Sequence, residues 1–245
     1  MRTAIIFNGN IRTWERCKSS FLDACGDMNA DVFISVSNKQ YEYAEYTKNL
    51  QNFHDDFILS ESDITKMFDG LNVKKIVIQD SQEAIQIAND ELPKIKLHFN
   101  TSRHGDGIHN SIYIQYRRLY YSLRDIEQYE IENNFQYDRI MKTRTEIIYN
   151  VDIFKRCLEN LNLDELLIDA GSVPVNDVFF LANRENSSKI INYMFEEFYD
   201  PQYPEQDISW PPHTMMKNVI EVNKMKVVAD RIIKHIEREK LQQVY

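Results

Sequence analysis

Apolar runs of strand length recur along the chain, with amphipathic segments between them. Because runs of this kind fit strands that are buried on both faces, we expect six strands: Thr3–Asn8, Asp31–Val36, Lys74–Gln79, Asp138–Lys142, Glu165–Asp169 and Asp177–Ala182. The segments before Asp138 are long enough for helical crossovers, which predicts a mainly parallel sheet flanked by helices. The later runs lie closer together. We therefore expect mixed or antiparallel pairing in 138–182, with three strands and one short helix.

The clearest helix is Asn110–Asn134, where apolar residues recur at steps of three and four. Its tyrosines are expected in the core with the hydroxyl near water, which leaves Gln115 and Arg118 as candidate pocket residues. Ser60, Ser81 and Asp152 are predicted N-caps. The remaining predicted helices are Thr13–Asp27, Ser60–Phe68, Ser81–Asn89, Asp152–Asn160 and Arg184–Phe198.

Two polar stretches, 100–110 and 199–212, are predicted loops because they are rich in Gly, Pro and polar residues. The first contains His104, Asp106 and His109. Their spacing matches no tetrahedral zinc site, so we favour a loop that covers the substrate or is simply solvated.

Composition favours one globular unit. The chain has 245 residues, of which 43% are hydrophobic and 27% charged, and no linker or repeat interrupts it. We therefore expect a single α/β domain over 1–245. The formal net charge of -9 argues against binding duplex nucleic acid, although a few Arg residues could still bind a small anion.

The sequence also predicts a compartment. No run of 18 apolar residues is present, and polar residues interrupt the opening apolar stretch at Asn8. We therefore expect no transmembrane segment and a soluble, cytoplasmic protein. Cys17, Cys25 and Cys157 show no metal-binding spacing and are expected to be reduced structural thiols.

The opening stretch MRTAIIFNGNIRTW places Gly9 and Arg12 directly after the first strand. Gly9 permits a backbone conformation that brings a ligand close to the main chain, and Arg12 could bind a diphosphate through two parallel hydrogen bonds. The alternative is an ordinary Asn-Gly turn with a solvated Arg. The stretch matches neither GxGxxG nor a Walker A loop.

The central stretch YDRIMKTRTEIIYN places Arg144 and Glu146 just after a predicted strand. A carboxylate at a strand end can hold Mg²⁺ or Mn²⁺ together with the phosphates that the ion bridges, and one protein carboxylate is enough for this. The alternative is a surface ion pair between Arg144 and Glu146 at a strand edge, which is common and contributes little.

Five segments resemble, in order, a group of small GT-A type glycosyltransferases found in chloroviruses, phages and bacterial polysaccharide clusters. The resemblance spans Met1 to about Met216. It is carried by AIIFNGNIRTWERCKSSF, ADVFISV, IQYRRLYYSLRDIEQYE, YDRIMKTRTEI and NDVFFLANRE. It implies a GT-A-like fold and transfer of a sugar from a UDP- or GDP-sugar to a glycan hydroxyl. If the protein is viral, it implies the host cytoplasm.

The resemblance also implies roles for individual residues. In that group the first strand and its Gly/Arg turn form the floor of the nucleotide-sugar site, and an R-x-D element replaces the usual DxD metal motif. Here Glu146 stands where Asp is usual. By this resemblance the nucleotide and diphosphate contacts are Phe7, Asn8, Gly9, Arg12 and Arg144, with Glu146 at the Mn²⁺ or Mg²⁺ ion.

Two residues are candidates for the acceptor side. Asp177 lies in a segment that resembles the part of the group's pocket carrying an acidic residue, and it would be the general base of an inverting reaction. His213 stands where the group often has Glu, and it would be an acceptor contact or a substitute base. Alternatively, Asp177 simply begins a strand. The alternative for His213 is a surface histidine or one whose hydrogen bonds are satisfied within the protein.

Two other functions stay open from the sequence. A non-catalytic protein that binds nucleotide sugars or carbohydrates would fit the departures at Glu146 and His213. A sugar nucleotidyltransferase also combines an α/β sheet with a divalent ion. Such enzymes usually carry a Gly-rich first loop with a downstream Lys, and Gly9–Lys18 has neither the glycines nor that spacing.

Overall fold

The structure is a computed structural model that describes residues 1–11, 13–38, 58–92, 106–170, 178–196 and 211–236. For residues 106–111, 211–214 and 235–236 it describes the backbone alone. The strands are β1 (Thr3–Gly9), β2 (Ala30–Ser37), β3 (Val73–Gln79), β4 (Arg139–Thr143), β5 (Ile147–Tyr149), β6 (Glu165–Asp169), β7 (Phe180–Asn183), β8 (Lys226–Asp230) and β9 (Ile233–Ile236).

Helices alternate with the strands over most of the chain. They are α1 (Trp14–Cys25), α2 (Glu61–Met67), α3 (Ser81–Glu91), α4 (Asp106–Glu132), α5 (Val151–Asn160), α6 (Arg184–Glu196) and α7 (Pro211–Val222). Among the helices of the described ranges, none combines the length and the apolar composition needed to cross a bilayer.

The main sheet has seven strands in the order β3-β2-β1-β4-β7-β6-β8. Strands β3, β2, β1 and β4 are parallel neighbours, and β7 is antiparallel to both β4 and β6. A separate antiparallel pair joins β5 to β9. The predicted fold class, a mixed and mainly parallel sheet flanked by helices, is therefore confirmed.

Two apolar cores cover the two faces of the sheet. One core packs α3, α4, α6 and α7 against the sheet, and the other packs α1, α2 and α5. On α4, Tyr113 and Tyr116 are buried as their helical spacing predicted, but the same prediction is wrong for Tyr121, which is 48% exposed. Residues on β1 and β4 are buried on both faces because helices lie on both sides.

Several predicted boundaries are wrong. Residues 106–110 begin α4 instead of continuing a loop, and α7 begins at Pro211 inside the second predicted loop. Proline fits there because the first residues of a helix have no intrahelical partner for their N–H groups. The segment 138–182 contains β5 in addition to the three predicted strands.

The predicted N-caps fared unevenly. Ser60 is confirmed, with a full capping box to Asp63. The prediction for Ser81 is wrong, because Ser81 is already helical. The N-cap is Asp80, whose carboxylate accepts hydrogen bonds from the backbone N–H groups of Gln82 and Glu83. Asp152 is also wrong, since α5 begins one residue earlier, after Asn150.

Candidate functional site

The carboxyl ends of β1 and β4 bring two of the sequence motifs together. Because these strands are parallel, Phe7 lies opposite Thr143, and the next residues on both strands leave the sheet at the same edge. The Gly9 turn and the Arg144–Glu146 turn are therefore neighbours. Parallel α/β sheets commonly bind ligands at this edge.

Gly9 has a φ of +128°, a conformation that a residue with a side chain rarely adopts. A β carbon placed on Gly9 would meet no atom of the described chain within 4 Å. Glycine is therefore required here by the positive φ angle and not by a lack of room for a side chain. The space above the turn is open.

The residues on either side of Gly9 have buried oxygen atoms. Asn8 is 3% exposed, and its Nδ2 donates to the backbone carbonyl of Gln115 on α4 at 2.9 Å. The Oδ1 of Asn8 has no hydrogen-bond partner among the described residues, and neither does the Oδ1 of Asn10. Each of these two amides therefore has an oxygen at this edge that can accept a hydrogen bond from a ligand or bind a cation.

Phe7 points away from the turn. Its ring is fully buried and lies 5.0–5.1 Å, between ring centroids, from Trp14, Phe21 and Phe68 in the core beneath α1 and α2. Its side chain therefore belongs to the core that supports the turn, and the predicted nucleotide contact at Phe7 stays a prediction.

Arg144 and Glu146 form a buried ion pair. The Arg144 Nη2 lies 2.6 Å from the Glu146 Oε1, and the two side chains are 18% and 1% exposed. The angles of this contact are not those of a hydrogen bond, so neither Glu146 oxygen has a hydrogen-bond partner in the described chain. The alternative of a surface ion pair is wrong, because Glu146 is buried.

Thr145 joins the two turns. Its side chain is buried, and its hydroxyl donates to the backbone carbonyl of Asn10 at 2.8 Å. On the other side, Tyr149 fixes the strand that follows Glu146. The Tyr149 hydroxyl lies 2.5 Å from the Thr143 hydroxyl, and the Tyr149 backbone N–H donates to the Ser20 hydroxyl at 2.7 Å.

The helix α4 contributes Gln115 and Arg118 to the same edge. Gln115 acts through its backbone carbonyl, which accepts from Asn8. Arg118 is 5% exposed, and its Nε donates to the Gln79 Oε1 at 2.7 Å, where β3 ends. Both residues therefore fasten α4 to strand ends, and their predicted role in a pocket stays a prediction.

Further polar residues at the ends of β2 and β3 were missed in the sequence. The Asn38 Nδ2 donates to the Asp80 Oδ2 at 2.6 Å, and Ser81 donates to the Asn38 Oδ1 from both its backbone and its hydroxyl. Asn10 and Thr145 were also missed, although both lie inside the two stretches that drew attention. The sequence could have indicated them, because each is a polar residue that lies at a strand end beside a candidate site residue.

Other predicted site residues lie outside the described part of the chain. Arg12, His104 and Asp177 are not described, and of Asp106, His109 and His213 only the helical backbone is. In the described ranges, no group of three or more His, Cys, Asp or Glu side chains could hold a metal ion.

The oxygens at this edge nevertheless fit a hard cation. Mg²⁺ and Mn²⁺ prefer carboxylate and amide oxygens, and Mg²⁺ usually keeps several ligands from phosphate and water. Glu146 supplies a buried carboxylate with two oxygens that lack hydrogen bonds, and Asn8 and Asn10 supply amide oxygens. By their chemistry, oxygens of this kind suit a divalent ion that keeps further ligands from a bound molecule.

Comparison with known proteins gives matches among solved structures only. No protein-family model matches the chain, and no curated protein matches it. The galactosyltransferase LgtC, in complex with donor and acceptor sugar analogues, is 12% identical with a TM-score of 0.40, over 94% of this chain and 73% of LgtC. Mouse xyloside xylosyltransferase 1 is 11% identical with a TM-score of 0.41, over 94% of this chain and 85% of that one.

A third structure is the glycosyltransferase GlyE of Streptococcus pneumoniae TIGR4. It is 11% identical with a TM-score of 0.41, and the match covers 93% of this chain but only 44% of GlyE. The chain thus spans less than half the length of GlyE. All three of these proteins are glycosyltransferases.

Proposed function

We propose that the protein is a glycosyltransferase with a GT-A-like domain that transfers a sugar from a nucleotide-diphosphate donor to a glycan hydroxyl. The observation that carries the proposal is the buried Glu146 carboxylate, which lies beside Arg144 and next to the Gly9 turn without hydrogen bonds of its own. The order of the five sequence motifs supports the same function.

A buried carboxylate without hydrogen bonds is costly. Burial of an ionised group without full compensation usually costs several kcal/mol, and removal of a hydrogen-bond partner from a buried polar atom costs about 1–3 kcal/mol. Glu146 has one ion pair to offset this cost. Such an arrangement is expected where a ligand completes the site, because buried polar groups in native proteins are otherwise nearly always hydrogen-bonded.

The charges suit a diphosphate with a divalent ion. Glu146 would hold Mn²⁺ or Mg²⁺, and Asn8 and Asn10 could contribute amide oxygens. The ion would supply positive charge to the departing diphosphate, where negative charge grows in the transition state. Arg144 has a planar guanidinium that can bind two phosphate oxygens at once, which a Lys could not do.

Different residues are proposed for the donor side and the acceptor side of the site. The Gly9 turn offers its main chain and open space to the nucleotide of a UDP- or GDP-sugar, together with Arg12. Asp177 and His213 are proposed for the acceptor hydroxyl, as base and contact. We further propose a role in polysaccharide biosynthesis in the cytoplasm, of a virus-infected cell or a bacterium.

The test is a transfer and hydrolysis assay with a panel of UDP- and GDP-sugars, in Mn²⁺, in Mg²⁺ and in a chelator. We expect turnover of one donor, its loss in the chelator, and a decrease of about a thousandfold in kcat for Glu146→Gln. The fold of that variant should be intact by circular dichroism.

A matched control is Glu130→Gln. Glu130 is also a buried carboxylate in an ion pair, with Arg184 at 3.0 Å, but it accepts from the backbone of Tyr137 at the opposite edge of the sheet. Its loss should lower stability and leave kcat within about threefold.

The alternatives predict other results. Tight donor binding without transfer or hydrolysis would favour a non-catalytic binding protein. Formation of a nucleotide sugar from a nucleoside triphosphate and a sugar phosphate would favour a nucleotidyltransferase. If the protein neither binds nor turns over any donor, the proposal is contradicted.

A further inference from the structure

Two strand-end turns meet at the candidate site, and a hydrogen bond from the Thr145 side chain connects them. The β1 turn carries Gly9 and Asn10, and the β4 turn carries Arg144 and Glu146. The paired register between β1 and β4 ends at Phe7 and Thr143. Beyond that point the Thr145 hydroxyl, which donates to the Asn10 carbonyl at 2.8 Å, spans the gap.

The other contacts of the β4 turn lead elsewhere. Thr143 bonds with the Tyr149 hydroxyl, and Tyr149 bonds through its backbone with Ser20 on α1. These bonds fix the turn to the helix layer below the sheet. They do not reach Gly9 or Asn10, so beyond the paired strands Thr145 supplies a direct contact between the two turns.

We infer that Thr145 is a positioning residue that couples nucleotide binding at the Gly9 turn to cation binding at Glu146. The inference rests on the proposed function. A nucleoside diphosphate must reach from the Gly9 turn to the cation, so a fixed separation between the turns lets each ligand favour the other. Such coupling is reciprocal, because each ligand changes the affinity of the other by the same factor.

The position of Thr145 in the chain supports this role. It lies between the two charged residues of the turn, is 3% exposed, and carries no charge itself. A buried hydroxyl there serves no contact with solvent, and in the described part of the chain it donates to the main chain of the opposite turn. A backbone carbonyl is a partner that does not change when side chains at the site move.

Isothermal titration calorimetry measures the coupling directly. The probes are MnCl₂ alone, UDP alone and UDP in saturating Mn²⁺, with GDP in parallel. The coupling factor is the ratio of the Kd values for the nucleotide without and with Mn²⁺. For Thr145→Val, which keeps the shape and removes the hydroxyl, we expect this factor to fall about fivefold, as for one neutral hydrogen bond.

Two further variants separate positioning from stability. Thr145→Ser keeps the hydroxyl and should keep the wild-type factor. Thr143→Val removes an equally buried hydroxyl from the same strand end, and it should lower the melting temperature without changing the factor. If Thr145→Val does not fold, Thr145→Ala removes the same hydroxyl and puts no methyl group in its place.

The outcomes distinguish this inference from the proposed function. An unchanged factor in Thr145→Val, or an equal decrease in Thr143→Val, would overturn the positioning role while the proposed function stands. A wild-type protein that binds neither UDP nor GDP would overturn the proposed function, and the coupling with it.

Discussion

Two buried acidic side chains lie near opposite ends of the parallel strands, and their surroundings differ completely. Asp31 follows the start of β2 and is 3% exposed, while Glu146 follows the carboxyl end of β4 and is fully buried. Asp31 accepts from the Arg2 guanidinium at 2.7 and 3.0 Å, from the Tyr137 hydroxyl at 2.6 Å and from Asn72 at 2.5 Å. Glu146 has one ion pair and no hydrogen bond among the described residues.

The surroundings of Asp31 serve stability. Its donors come from segments far apart in the chain, and Lys74 adds a further positive charge at 3.6 Å. The Arg2 guanidinium also lies 3.7 Å from the centre of the Phe135 ring. Asp31 therefore ties together the starts of β1 and β2 and the segment before β4, and no acceptor capacity is left for a ligand.

We propose that the surroundings of Glu146 serve binding. A carboxylate that keeps its oxygens without hydrogen bonds weakens the unliganded protein and is ready for a cation or a donor. The comparison teaches that burial alone does not mark a functional carboxylate. The number of carboxylate oxygens left without a hydrogen-bond donor distinguishes the two.

The largest effect that would test this comparison is the loss of Asp31. Asp31→Ala leaves the Tyr137 hydroxyl buried without an acceptor, and we expect the free energy of unfolding to fall by about 3 kcal/mol in urea titrations. Glu146→Gln should change it by less than about 1 kcal/mol, because little hydrogen bonding is lost. Equal costs for the two variants would contradict the comparison.

The control for Asp31→Ala is Asp27→Ala. Asp27 is 94% exposed and pairs with Lys155 at 3.4 Å. Exposed pairs of this kind contribute little, so the expected change is below about 0.5 kcal/mol.

A second effect separates the two carboxylates through ligand binding. A cation that binds only the folded protein raises the free energy of unfolding by about 2.7 kcal/mol at one hundred times its Kd. We expect Mn²⁺ to stabilise the wild type and Asp31→Ala equally in thermal unfolding, and to have no effect on Glu146→Gln. Stabilisation of Glu146→Gln by Mn²⁺ would place the cation elsewhere.

The same contrast explains what the sequence could predict of the fold. The strands β1, β2 and β4 are buried on both faces, so their apolar runs are visible without any neighbour. The missed strands β5, β8 and β9 are different: β5 has only three residues, β8 lies at the edge of the sheet with Val227 39% exposed, and β9 pairs with β5 outside the main sheet. Their pairing depends on tertiary contacts that no local pattern records.

The site was predictable to a similar degree. Arg144 and Glu146 follow a strand, and the parallel order of β1 and β4 brings them to the Gly9 turn. The bond between Thr145 and Asn10 depends on the conformations of two turns, which the sequence does not specify. The surroundings of Asp31 were missed because Tyr137 lies 106 residues away along the chain.

The smallest effect concerns the pH dependence of the bonds around Asp31. Burial, and then the hydrogen bond to Asp31, raise the pKa of the Tyr137 hydroxyl well above its usual value near 10. The folded protein thus keeps a proton that the unfolded chain loses above about pH 10. The resulting stability is complete below that pH and is lost as the pH rises toward the folded pKa.

Tyr137→Phe isolates this contribution. Between pH 10 and 11 the wild type should lose about 1 kcal/mol more of its free energy of unfolding than Tyr137→Phe does, as measured by urea titration at each pH. Other groups titrate equally in both proteins and cancel in the difference. Parallel pH profiles would mean that the Tyr137 hydroxyl ionises as readily in the folded protein as in the unfolded chain, and the bond to Asp31 would then have to be far weaker than its 2.6 Å length indicates.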